Sequence, residues 1–242
     1  MPKTPGGQRE TVTRDRAVDA AITLADREGI DAVSMRNLAA QLGVVPMALY
    51  KHIANKEDLL NGMADALILQ YGPPTLDPGW IEGVRSRILS ARSVLLRHPW
   101  ARKVFETRTS RTPAVLSYMD SLAGMFIAGG VSVDLTHHAM HALGHRIWGF
   151  SPEAFEDPQS LRAPSDPNAQ AALAAHVRAT YPSIFAIAME STGGHATATG
   201  CDEQFEFEFT LDLLLDGFAR LHERGWNRNS HVEVQHGESS VI

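Results

Sequence analysis

The chain has 242 residues, 44% of them hydrophobic and 21% charged, with a formal net charge of −6. That is the composition of one large or two modest globular domains, and it excludes a disordered or collagen-like chain. The charge is uneven: residues 1–56 carry eight basic and six acidic side chains, a net of +2, while the rest carries 14 and 22, a net of −8. A mildly basic end on an acidic body permits local contact with a polyanion, because charges beyond about 8 Å are screened.

Residues 1–12 read as a disordered arm. Residues 13–28 predict an amphipathic helix, with Val18, Ile22 and Ala25 on one face and Asp15, Asp19, Asp26 and Arg27 on the other. Gly29 stands where a C-cap glycine is expected. Ser34 is a good N-cap for a short helix, Met35 to Leu42, which Gly43 ends. Pro46 suits the first turn of the next helix, expected to run to about Ile53. Asn55 caps a helix from Lys56 to about Tyr71, with Leu59, Met63 and Leu67 inward. Residues 72–79 are a breaker cluster and an expected hinge. Trp80 to Arg97 is helical in pattern, and His98-Pro99 interrupts it before a short helix over 100–106. Pro113 opens a helix to about Ala128, and Asp134 is expected to cap another from Leu135 to about Phe150. Residues 151–168 read as a loop, 169–190 as a helix bent or restarted at Pro182, and 192–200 as flexible.

The run Phe205-Glu206-Phe207-Glu208-Phe209 alternates with a strand's period of two. Leu211, Leu214, Leu215, Phe218 and Leu221 then follow at helical spacing, and no partner strand exists, so 203–224 is read as a helix and 226–242 as a flexible tail. The sum is nine or ten helices and no sheet, an all-α fold.

Residues 33–58 carry the chemistry. They read as a helix-turn-helix: Leu38, Ala39 and Leu42 give the first helix its apolar face, Gly43 permits the tight turn, and Leu49 and Ile53 anchor the second helix. Met47, Tyr50 and Lys51 then point outward, on a helix that fits a DNA major groove about 12 Å wide.

The runs Ala39-Ala40-Gln41-Leu42-Gly43-Val44, Leu49-Tyr50-Lys51-His52-Ile53 and Asn55-Lys56-Glu57-Asp58-Leu59-Leu60, after Ala20-Ala21 and Gly29-Ile30, strongly resemble the TetR family of bacterial transcriptional regulators. More faintly, Leu143-Gly144-His145 and Phe207-Glu208-Phe209 through Gly217 resemble the C-terminal domain of its tetracycline-repressor subgroup. The polar N-terminus, with no apolar signal region, leads to the expectation of a cytoplasmic protein, and the resemblance implies a non-enzymatic homodimer, with no cofactor expected. A three-helix DNA-binding head over 13–58 would join a helical effector-binding and dimerisation body over 59–225. It implies a repressor released from double-stranded operator DNA by a small molecule. By position, Arg36 would reach base edges, Pro46, Met47 and Lys51 would face the groove, Tyr50, His52 and Lys56 would touch phosphates, and Ser34 would cap the helix. Val45 and Ala48 stand where the family usually has Ser or Thr, and Lys51 where an aromatic is common. Lost hydroxyl contacts and an added charge predict marked salt dependence.

The subgroup's drug-contacting positions fall on Gly72, Arg87, Ala91 and Phe105, which cannot reproduce metal–drug contacts, so a tetracycline is not the expected effector; Glu153 lies near an acidic position of that site. Arg87, Phe105, Phe126, His141, His145 and Trp148, with Trp100, are the expected lining for a largely apolar or aromatic ligand, against the plainer reading that several of these rings are core. His137, His141 and His145 share one helix face, with His138 beside them. That pattern can hold a divalent metal, which would open an alternative as a metal-dependent enzyme. The favoured reading is a pocket wall or dimer seam with ordinary hydrogen bonds. A DNA-binding scaffold without effector is a further alternative. Dimerisation is expected through helices 135–148 and 203–224, with Ala139, Ala142, Gly144, Met140 and Leu143 on the first and Phe205, Phe209, Leu213 and Phe218 on the second. No membrane contact is expected, because no apolar run approaches the ~20 residues of a membrane helix. One cysteine, Cys201, leaves no disulfide framework.

Overall fold

The computed structural model describes residues 11–107, 111–148, 166–191 and 203–229, with backbone only at 145–148, 188, 190 and 191. These residues form eleven α-helices and one short 3₁₀ turn, and no strand among them. The expected arm over 1–10, most of the 151–168 loop, Glu153, the 192–200 segment, Cys201 and the tail beyond 229 lie outside the described residues, as do the side chains of His145 and Trp148. Two compact units divide the chain, one of residues up to 149 together with those from 214 onward, the other of residues 150–213.

In the first unit the first four helices start for local reasons. Thr13 caps α1 (Arg14–Glu28) by accepting from the Arg16 amide, and Gly29 follows at φ 83°. Ser34 accepts from the Asn37 amide to cap α2 (Met35–Leu42). Pro46 opens α3 (Pro46–Leu49), and Asn55 caps α4 (Lys56–Ile68) through the Asp58 amide. α5 (Trp80–Arg97), α6 (Ala101–Thr107), α7 (Pro113–Ala128) and α8 (Val133–Trp148) follow. Leu24, Leu38, Leu49, Ile53, Leu59, Met63 and Leu67 form the core of the N-terminal helices. Val84, Ile88, Val94, Leu122, Phe126, Leu135 and Leu143 fill the body, where Trp80 and Phe218 pack on Phe126 at centroid distances of 5.3 and 6.2 Å.

Polar links tie α1 and the turn after it to α6 and the residues just before it. The Asp26 carboxylate accepts from Trp100 Nε1 at 2.6 Å and meets His98 Nδ1 at 2.7 Å, while Lys103 donates to Asp31 at 2.8 Å. Trp100 is therefore a strut onto α1.

The second unit holds α9 (Pro167–Thr180) and α10 (Pro182–Ser191), restarted at Pro182 as read, and the first half of α11 (Glu203–Glu223). The Phe205–Phe209 run is helical: Phe207, Leu211, Leu215 and Phe218 are buried at intervals of four, four and three. Phe205 and Phe209 stack on another face, 6.2 Å apart and exposed, with Leu213 one turn further on.

Three expectations are corrected. The α3 helix ends at Leu49 rather than near Ile53, because the amides of both His52 and Ile53 turn in to the Leu49 carbonyl. Ser132, not Asp134, caps α8 by accepting from the Leu135 amide; Asp134 lies inside the first turn and accepts from the Arg228 amide at 2.7 Å. Phe218, Ala139 and Leu143, expected at a dimer seam, are buried within the chain.

Candidate nucleic-acid interface

The α2–α3 pair is held by bonds that the local sequence dictates. Gly43 sits at φ 67°, ψ 32°, a left-handed conformation that costs a side-chain-bearing residue free energy. Its amide bonds back to Ala40 O and that of Val44 to Ala39 O, a Schellman close that satisfies the last carbonyls of α2. Gln41 donates to Ala20 O and so pins α2 on α1. Arg14 of α1 grips Asp58 of α4 through two bonds, 2.9 and 2.6 Å, and reaches the His52 carbonyl. Asp58 in turn accepts from the Ala54 amide, which fixes the turn after α3. The Arg14 guanidinium holds the Asp58 carboxyl below its ordinary range.

This frame leaves one face of α3 free. Leu49 and Ile53 are buried, while Val45 and Met47 are 67% and 71% exposed and Tyr50, Lys51, His52 and Lys56 are exposed beside them. Arg36 is exposed at the start of α2, and neither it nor Lys51 pairs with a carboxylate among the described residues. Ser34 is spent on the cap, and Pro46 lies exposed at the first turn of α3. Seven of the eight residues expected to meet DNA, Arg36, Pro46, Met47, Tyr50, Lys51, His52 and Lys56, are exposed in or next to α2 and α3, and the eighth, Ser34, is the cap of α2. Sequence reasoning missed Arg14 and Asp58, whose pairing spans 44 residues and left no local signal.

The expected effector residues are scattered. Arg87 and Phe126 are buried, Phe105 is half-buried on α6, and His141 is exposed on α8 beside His137, their rings 4.7 Å apart. Arg228 donates to His138 Nε2 at 3.2 Å. No group of three or more ligating side chains that could hold a metal occurs among the described residues. Around Arg87 stand two tyrosines that sequence reasoning missed. The guanidinium lies over the Tyr118 ring at 4.9 Å, and Tyr71 meets that ring edge-on at 5.1 Å. Burial raises both phenols, Tyr118 to about 12, and lowers the arginine. The available signal was a lone charge on the inward spacing Val84, Arg87, Ile88, Ala91.

Two family models match this chain: "Bacterial regulatory proteins, tetR family" over residues 17–63 and "Tetracyclin repressor-like, C-terminal domain" over 73–221. The chain belongs to the TetR family. It is a DNA-binding transcriptional regulator with an all-α fold. An HTH-type transcriptional regulator of Saccharopolyspora erythraea is 29% identical over 90% of this chain and 89% of its own. An HTH-type transcriptional repressor of Streptomyces coeruleorubidus is 34% identical, over 48% of this chain and 44% of its own. Apo ActR of Streptomyces coelicolor superposes with a TM-score of 0.68 at 25% identity, covering 89% of this chain and 99% of that one. No described helix is long and apolar enough to cross a membrane.

Proposed function

We propose that this TetR-family regulator is a homodimeric repressor that leaves its operator when a small, largely apolar or aromatic molecule binds the body. The observation that carries the reading is the α2–α3 surface: α2, capped at both ends, and the short α3 that Pro46 opens present two unpaired cations, two exposed apolar side chains and a tyrosine. In this reading residues 13–58 are the head and 59–225 the body. Arg36 reads a base edge, a bidentate pairing to guanine being worth about 1–3 kcal/mol of discrimination. Met47 and Val45 offer apolar contact to thymine methyls, Lys51 and Pro46 face the groove, and Tyr50, His52 and Lys56 meet phosphates, which position without reading sequence. The asymmetry between head and body charge is consistent with DNA approaching the head.

The effector reading draws on relatives. ActR has been crystallised in complex with actinorhodin, and the chain's relatives include tetracycline repressors. Arg87, Phe105, Phe126, His141, His145 and Trp148 remain the proposed ligand residues; Arg87 and Phe126 support an interior site, and exposed His141 fits a seam better. Dimerisation through α8 and α11 is supported by an exposed stripe on each, Val133, His137 and His141 on one and Phe205, Phe209 and Leu213 on the other. The α11 stripe is apolar, and contiguous exposed apolar residues mark interaction surfaces.

The test is fluorescence anisotropy on the DNA upstream of the protein's own gene, against scrambled DNA, at several salt concentrations. Selective binding that Arg36→Ala weakens about tenfold on the operator, and less on scrambled DNA, supports the reading. Equal binding of both DNAs by the wild type overturns it.

A further inference from the structure

The interior of the body contains a cation that the fold itself does not neutralise. Arg87 on α5 is 9% exposed. Its Nη2 donates to Ser121 Oγ at 3.3 Å, a neutral acceptor, and its guanidinium covers the Tyr118 ring. Its Nε is buried without an acceptor, and so is the hydroxyl of Tyr71, 6% exposed and in contact with the same ring. Among the described residues no carboxylate pairs with Arg87. A guanidinium stays charged in a protein, and a buried charge is costly unless paired. The group that would complete this cluster carries negative charge on oxygen, accepts from a planar fork and a phenol, and stacks among aromatic rings.

We infer that Arg87 and Tyr71 form the anion-recognition end of the effector site, so that the effector is an aromatic molecule bearing an acidic oxygen, as carboxylate, sulfonate or phenolate. The inference rests on the effector reading above and narrows it from apolar to anionic aromatic. The guanidinium lies over the Tyr118 ring and one Nη2 hydrogen goes to Ser121, which leaves the Nε–H as the donor without an acceptor, for the ligand. The tyrosines stay neutral at physiological pH, since burial raises both, so Tyr71 is a donor and does not repel the anion.

Two fluorescent probes with one aromatic skeleton test this on the full-length protein: 1-anilinonaphthalene-8-sulfonate and uncharged N-phenyl-1-naphthylamine. The wild type should bind the sulfonate about tenfold or more tighter than the neutral probe, at one site per chain. Arg87→Met should weaken the sulfonate by about tenfold and leave the neutral probe within about twofold, with Arg87→Lys intermediate and Tyr71→Phe a few-fold weaker. Circular dichroism melting checks that each variant folds. Should Arg87→Met not fold, Tyr71→Phe and displacement of the sulfonate by 1-naphthoate against 1-naphthamide decide instead. Equal affinity for the two probes in the wild type, or equal loss of both in the variants, overturns the inference. Operator binding measured in the same samples separates the two readings. A charge-selective site that leaves operator binding unchanged upholds the anion site and sinks its role as effector site.

Discussion

Arg14 joins three segments of the head at once: its own helix, the turn after α3 through the His52 carbonyl, and α4 through Asp58. Asp58 carries a depressed pKa in the folded state, so the clamp's contribution is present above the ordinary carboxylate range and is lost as pH falls through the depressed value. Both side chains are partly exposed, which limits the effect to about 1 kcal/mol. Asp58→Asn should therefore lower stability in urea unfolding at pH 7 by about that amount, and the gap to wild type should close in acid. Gly43 is a second such residue. A methyl group there meets open space, so only the backbone conformation opposes it, and Gly43→Ala should cost about 1 kcal/mol in the same assay. The cap at Ser34 and the glycine at 43 were legible because both act within a few residues of themselves. Arg14, by contrast, looked like any first-turn cation.

At the level of elements, the helices of the described region follow from periodicity and breakers, and their partners do not. α5 was legible from its apolar spacing, yet nothing local indicates that Gly83 must be bare. A Cβ there would fall on the Thr75 carbonyl, in the connection that leads into the helix, and crowd Met125 of α7. Gly83→Ala should destabilise by about 1–3 kcal/mol, read as a lowered Tm, because backbone must move to admit it. α3 shows the opposite failure. Its pattern continued to Ile53, but the last residues turn inward to bury that side chain and to receive the Arg14 bond. α11 carries two apolar faces, one buried in the chain and one exposed, which is why Phe205 to Phe209 imitated a strand.

For the whole molecule, the exposed stripes and the charge distribution make two further predictions. Phe209→Glu with Leu213→Glu should convert a dimer to monomer in sedimentation equilibrium and abolish operator binding, since a dimer reads two half-sites and a monomer one. Unchanged dimerisation would place the seam elsewhere. Operator affinity should fall steeply with salt, and Lys56→Ala, at a proposed phosphate contact, should reduce the log–log slope by about one while weakening operator and scrambled DNA alike.

By itself the sequence determined the all-α class, the order of the elements, the helix-turn-helix and the family. These depend on caps, turns and periodicities that act over a few residues, where chain connectivity keeps the partners together. Tertiary structure alone decided which outward residues share a surface, which inward ones pair, and where a charge is left uncompensated. Trp100 finds Asp26 across 74 residues and Arg14 finds Asp58 across 44. Arg87 meets Tyr118 and Ser121 only because α5 packs on α7. Such contacts are selected by shape and burial among many equally spaced alternatives, so no local pattern announces them.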